Sequence, residues 1–186
     1  EMAALLDPEM FEQAERDWPR WLSGDPEALV SVVTGSVAAK LRVVEIDPEE
    51  RLGARQLLNF GHTLGHAIEK RWGYGAICHG EAIAYGILFA LRLARRVGVL
   101  EAGDEDLAAR LRSLLRGLQL PDVRSAGLGA KDLMASMGQD KKATEAGLTW
   151  VLPAALGRGV RRTVDGEIVR SELEAFLVDP WAPAAA

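Results

Sequence analysis

The chain has 186 residues, 48% of them hydrophobic, which is enough to bury one core and most simply makes one domain. Its net charge of -5 denies it the basic face that nucleic acids require, and a single cysteine leaves no disulfide framework and fits a reducing compartment. No apolar run reaches the ~20 residues of a membrane span; the longest, 82–94, is interrupted by Tyr85, Gly86 and Arg92, and the acidic amphipathic N-terminus does not read as a signal peptide. A cytoplasmic protein with no nucleic-acid or membrane partner is expected.

Helical periodicity dominates the chain. Asp7-Pro8 and Asp25-Pro26 are helix starts, predicting helices over 8–22 and from 26 to about 44, with a break at Asp47-Pro48. A third helix is predicted over 52–72, ended by Gly73-Tyr74-Gly75. A fourth, over 80–97, is apolar nearly all round and reads as central and buried. A fifth (104–118) is amphipathic and a sixth (131–138) is short. The runs 148–153 and 159–164 read as a small β-hairpin. A last helix is predicted over 169–177, with Ser171 and Glu174 spaced as a capping box, followed by a loose tail over 181–186. The expected fold is mainly α, a multi-helix bundle with a small C-terminal β-hairpin, in one unit over 1–180. No glycine-rich loop follows a strand, so a self-contained dinucleotide-binding unit is not expected.

All three histidines fall between Asn59 and Glu81. His62 and His66 stand at i and i+4, on one helical face, and His79 opens the next helix. Imidazole is the commonest ligand for a divalent transition metal, so the cluster is read as metal-binding, against the plain alternative of three unrelated polar side chains. A catalytic zinc usually takes three protein ligands; beside His62 and His79, spacing alone leaves the third open among His66, Glu69, Glu81 and a distant carboxylate. On one continuous helix, Arg55, Asn59, His62 and His66 form a stripe of guanidinium, amide and imidazoles, a poor core face but a good wall for an anionic, hydroxylated ligand. Gly61 and Gly65 cost that helix roughly 1 kcal/mol each relative to Ala and are expected where another helix or a ligand comes close. Only five basic residues are lysines. The adjacent pair Lys141-Lys142 suits either a phosphate or a solvated surface. Lys40, in an apolar helix, either snorkels to water or faces a polar site.

The segment Gly53-Ala-Arg55-Gln-Leu-Leu-Asn59-Phe-Gly-His62-Thr-Leu-Gly-His66-Ala-Ile-Glu69, with Gly73-Tyr-Gly and His79-Gly-Glu-Ala after it, resembles the C-terminal domain of the 3-dehydroquinate synthases among the sugar phosphate cyclases. Ser36 to Lys40 with Val43-Val44, and Asp140-Lys141-Lys142, follow the same family order. The resemblance implies the dehydroquinate synthase-like fold and a zinc- (or cobalt-) and NAD-dependent lyase of the shikimate pathway. Its substrate would be the sugar acid phosphate 3-deoxy-D-arabino-heptulosonate 7-phosphate (DAHP) and its product 3-dehydroquinate. It further implies His62, His79 and a glutamate as metal ligands. His66, Asn59 and the Lys141-Lys142 pair would contact substrate or its phosphate, Arg55 the substrate carboxylate and Lys40 the ring hydroxyls. Glu1 is the match on offer for the glutamate, although the Lys-Tyr pair that follows it in the family is missing here. An N-terminal NAD-binding domain, expected outside this chain, would be the required partner, and a homodimer is implied when both halves are present. The competing expectations are another sugar phosphate cyclase, a relative of the iron-type alcohol dehydrogenases, or a non-catalytic helical module.

Overall fold

The computed structural model describes residues 2–49, 51, 53–73, 75–100, 105–138 and 147–184. Helix α1 (Met2–Leu6) leads into α2 (Pro8–Leu22) and α3 (Pro26–Ile46). The Asp-Pro starts act as expected. The Asp7 carboxylate accepts from the Met10 amide at 3.0 Å, and Asp25 accepts from Glu27 and Ala28. After a 3-10 turn (Arg55–Asn59) come α4 (His62–Trp72), α5 (His79–Arg96), α6 (Glu105–Arg116), a second 3-10 turn (Val123–Ala126) and α7 (Ala130–Met137). An antiparallel hairpin of β1 (Leu148–Ala155) and β2 (Arg158–Val164) precedes the last helix, α8 (Gly166–Val178).

The axis of the fold is α5. Every residue from Ala82 to Ala94 is buried, enclosed by α4, β1 and α8. Phe89 packs between Trp150 of β1 (centroids 5.2 Å apart) and Phe176 of α8 (5.4 Å). The residues that interrupt the apolar run each have a task. The Tyr85 hydroxyl donates to the Pro121 carbonyl and accepts from the Val123 amide. Arg92 donates to Glu172 and to the Ala182 carbonyl. Gly86 lies where α4 and α5 touch, and a Cβ there would overlap the carbonyl oxygen of Gly61.

Three expectations are corrected. The helix predicted over 52–72 is two elements, because Gly61 takes the left-handed conformation (φ 81°) between the 3-10 turn and α4. The last helix begins at Gly166, capped by Asp165 at the Glu167 and Ile168 amides, so Ser171 and Glu174 lie inside it and form no cap. Over its described residues the tail is docked and not loose: Trp181 lies 4.8 Å from the Arg116 guanidinium, Arg92 holds the Ala182 carbonyl, and Ala184 is buried.

Candidate metal and substrate site

Two helix starts build the site. Phe60, buried, closes the 3-10 turn, and Gly61 turns the chain so that His62 becomes the first residue of α4. A side chain at Gly61 or Gly65 would strike Ile83 or Ile87, so the close neighbour these glycines admit is α5. Helix α5 starts at His79, behind a cap in which the Cys78 amide donates to Glu81 Oε2 at 2.7 Å. Seventeen positions apart in sequence, His62 and His79 thus meet because the two helices begin side by side.

The imidazoles form a nearly equilateral triangle. Ring centroids are 5.1 Å apart for His62 and His66, 5.6 Å for His62 and His79, and 5.7 Å for His66 and His79. One nitrogen from each lies within 4.8 Å of the others, the spacing of donors around a single divalent ion; among the described residues this is the cluster with that geometry. The rings are not held alike. His62 Nδ1 faces the Phe60 carbonyl at 3.2 Å, and His79 Nδ1 faces Glu69 Oε2 at 3.1 Å. A proton on each Nδ1 satisfies these acceptors and leaves Nε2 with its lone pair, the form a metal needs. Among the described residues no such acceptor meets His66. Desolvation, followed by the charges of His62 and His79, pushes His66 below the ordinary imidazole range, although its ring edge faces solvent.

The triangle stands between two hollows. On one side a cleft of about 820 Å³ is lined by polar groups of Asn59, His62, Thr63, His66, Glu69 and Ser136. On the other a smaller hollow of about 310 Å³ has the apolar walls Ile83, Ile87, Leu115 and Leu118. Asn59, His62, His66 and His79 are therefore brought together as expected. Arg55 is not on their stripe, because the 3-10 turn and Gly61 change the helical phase. Its amide faces Asp47, and its Nη1 donates to the Pro48 carbonyl at 3.1 Å. Lys40 is exposed on α3 and lines neither hollow. Of the other carboxylates left open as ligands, Glu81 is spent on the α5 cap and Glu69 on His79. Glu1, Lys141 and Lys142 lie outside the described residues; α7, which carries Ser136 and Met137 of the cleft, ends at Met137, four positions before Lys141. Sequence reasoning missed Thr63 and Ser136, whose place depends on α4 packing against α7, where Arg71 donates to Ser136 at 2.6 Å.

The donor set suits a zinc-like ion: two imidazoles whose Nδ1 atoms already face an acceptor, with open space for further ligands. A dinucleotide finds no cradle among the described residues, whose strands form only the antiparallel hairpin and open no glycine-rich turn into a helix.

The sequence profile of the 3-dehydroquinate synthase C-terminal family matches residues 1–143. The 3-dehydroquinate synthase of Desulforamulus reducens is 41% identical over 154 residues, covering 83% of this chain and 42% of that protein. That of Pseudomonas aeruginosa strain LESB58 is 42% identical over 173 residues (93% and 45%), and that of Caulobacter vibrioides 40% over 184 residues (96% and 48%). The chain thus spans a little under half the length of these relatives. In fold it is similar to the 2-epi-5-epi-valiolone synthase of Streptomyces hygroscopicus subsp. jinggangensis 5008, solved with NAD+ and Zn2+ (TM-score 0.71, 21% identity, 94% of this chain and 48% of that one). It is also similar to a 2-deoxy-scyllo-inosose synthase complexed with carbaglucose-6-phosphate, NAD+ and Co2+ (TM-score 0.66, 24% identity, 81% and 41%).

Proposed function

The chain belongs to the 3-dehydroquinate synthase C-terminal family, and on that premise we propose that it supplies the metal- and substrate-binding face for conversion of DAHP to 3-dehydroquinate with loss of phosphate. The observation that carries this reading is the unequal treatment of the histidines: His62 and His79 each have an acceptor on Nδ1, whereas among the described residues none meets His66, which borders the polar cleft. That pattern supports His62 and His79 as ligands with His66 on the substrate side; Glu1 would complete the set, as the family resemblance implies. Zinc or cobalt bound there would act as a Lewis acid on a substrate oxygen and orient its hydroxyls.

The protein's own groups would do the rest. Neutral at pH 7, His66 can donate from one nitrogen to a phosphate or hydroxyl oxygen and accept a proton at the other, without adding charge beside a dication. The Asn59 amide offers both donor and acceptor to a hydroxylated ring. Lys141 and Lys142 would balance the phosphate as it departs. Arg55 would clamp the substrate carboxylate, for which its guanidinium exchanges the neutral Pro48 carbonyl for a bidentate charged partner. Lys40, which lines neither hollow, would contact the ring hydroxyls as the family resemblance implies. The nicotinamide cofactor, which these residues do not fit, would be held by the half of the relatives that this chain does not span, and the pair of halves would dimerise. The products belong to the shikimate pathway, in keeping with a cytoplasmic protein.

Phosphate release from DAHP, measured with NAD and zinc in the presence of a family N-terminal half, tests the reading. Turnover is expected, and its absence refutes the assignment. If only another cyclitol precursor is turned over, the chain serves a related sugar phosphate cyclase, as the fold likeness would also permit. For the ligands, H62A and H79A should lose zinc while H66A keeps an affinity near that of the parent chain; the reverse order would overturn the assignment.

A further inference from the structure

We infer that Glu69 is the positioning residue of the metal site, holding His79 in the tautomer and orientation that present Nε2 to the ion. The inference rests on the proposed ligand role of His79. Glu69 follows His62 by seven positions and His66 by three, so all three share one face of α4. From there its carboxylate reaches across to α5, where Oε2 lies 3.1 Å from His79 Nδ1. The two partners are unequally fixed: the Glu69 side chain is 19% exposed and that of His79 54%. His79 sits on the first turn of its helix, between exposed Cys78 and side-chain-less Gly80, so little packing restrains its ring. An ionised carboxylate takes only hydrogen bonds, so it selects the Nδ1–H form. It also makes Nε2 a more basic ligand. Phe60 does the same for His62 with a backbone carbonyl, which no substitution can remove. Glu69 is thus the point at which the orientation of His79 depends on a side chain that substitution can remove.

Zinc titration of the 186-residue chain and 15N-detected two-bond spectra of its histidines at pH 8 test this together. E69A should weaken zinc binding roughly 10- to 100-fold and move His79 from Nδ1–H towards Nε2–H, with the metal-free unfolding midpoint unchanged. E69Q, whose amide carbonyl accepts the same hydrogen bond, should restore the tautomer and most of the affinity. An E69A chain with parental affinity, or a parental His79 already protonated at Nε2, overturns the role of Glu69. Lost affinity accompanied by a lowered metal-free midpoint would reassign it to ordinary structural support. Retention of zinc by H79A, in contrast, would strike the proposed ligand set and leave the tautomer result to judge Glu69 by itself.

Discussion

Helices α3 and α5 are both long and rich in aliphatic residues, yet they meet opposite fates. Helix α5 has thirteen consecutive buried residues, Ala82 to Ala94. Helix α3, with 21 residues, buries only Ala28, Ala39 and Val43, and it leaves Val30, Val33, Val37 and Leu41 between 53% and 65% exposed along one stripe. Apolar composition states what a helix can bury, and the neighbouring elements decide what it does bury. The better marker of the central helix is its exceptions. Tyr85 and Arg92 would each be costly inside a core without partners, and both have them; Gly86 would be a gap without a backbone pressed against it.

That contrast can be broken most forcefully at Phe89, which is fully buried between two aromatic rings. F89A should cost about 4 kcal/mol in urea unfolding; a loss below about 1 would mean that α5 is not the core. G86A should cost about 3 kcal/mol, the upper end for overpacking, because the Gly61 carbonyl that it meets is backbone and cannot swing away. It should also weaken zinc binding by pushing His62 from His79, which metal titration reads directly. V37A on the bare face of α3 should change stability by less than about 0.5 kcal/mol; a cost near that of F89A would reveal that the stripe is covered in solution. The smallest effect lies outside both helices. His66 holds its proton less tightly in the folded chain than at the ordinary value of 6.5, so the unfolded chain protonates first on acidification. That part of stability is present above pH 6.5 and lost below it. Between pH 7 and 5.5 the unfolding midpoint should fall less in H66Q than in the parent chain.

Much of the layout was legible in the sequence because its causes are local. The Asp-Pro pairs start α2 and α3 through side-chain caps, the alternating runs at 148–153 and 159–164 become the hairpin, and the i, i+4 spacing does bring His62 and His66 onto one face. What escaped depends on distant neighbours. Periodicity runs smoothly from Leu52 to Trp72, and only the nearness of α5 reveals why the chain turns at Gly61 and takes Arg55 out of the stripe. The Ser171 and Glu174 pattern looks like a cap, but Asp165, a stronger acceptor placed six residues earlier, starts the helix first. The pairing of Glu69 with His79 crosses two helices and a turn, and no short-range rule records it.

The Gly61–Gly86 contact makes the site's response to mutation one-sided. No residue is smaller than glycine, so substitution at either position can separate the starts of α4 and α5 but never draw them closer. Drift at this contact therefore enlarges the gap between His62 and His79. With His62 and His79 as the proposed ligands, variation there would carry the site towards wider, looser coordination and larger ions, while a tighter cage would have to be made through the ligands themselves.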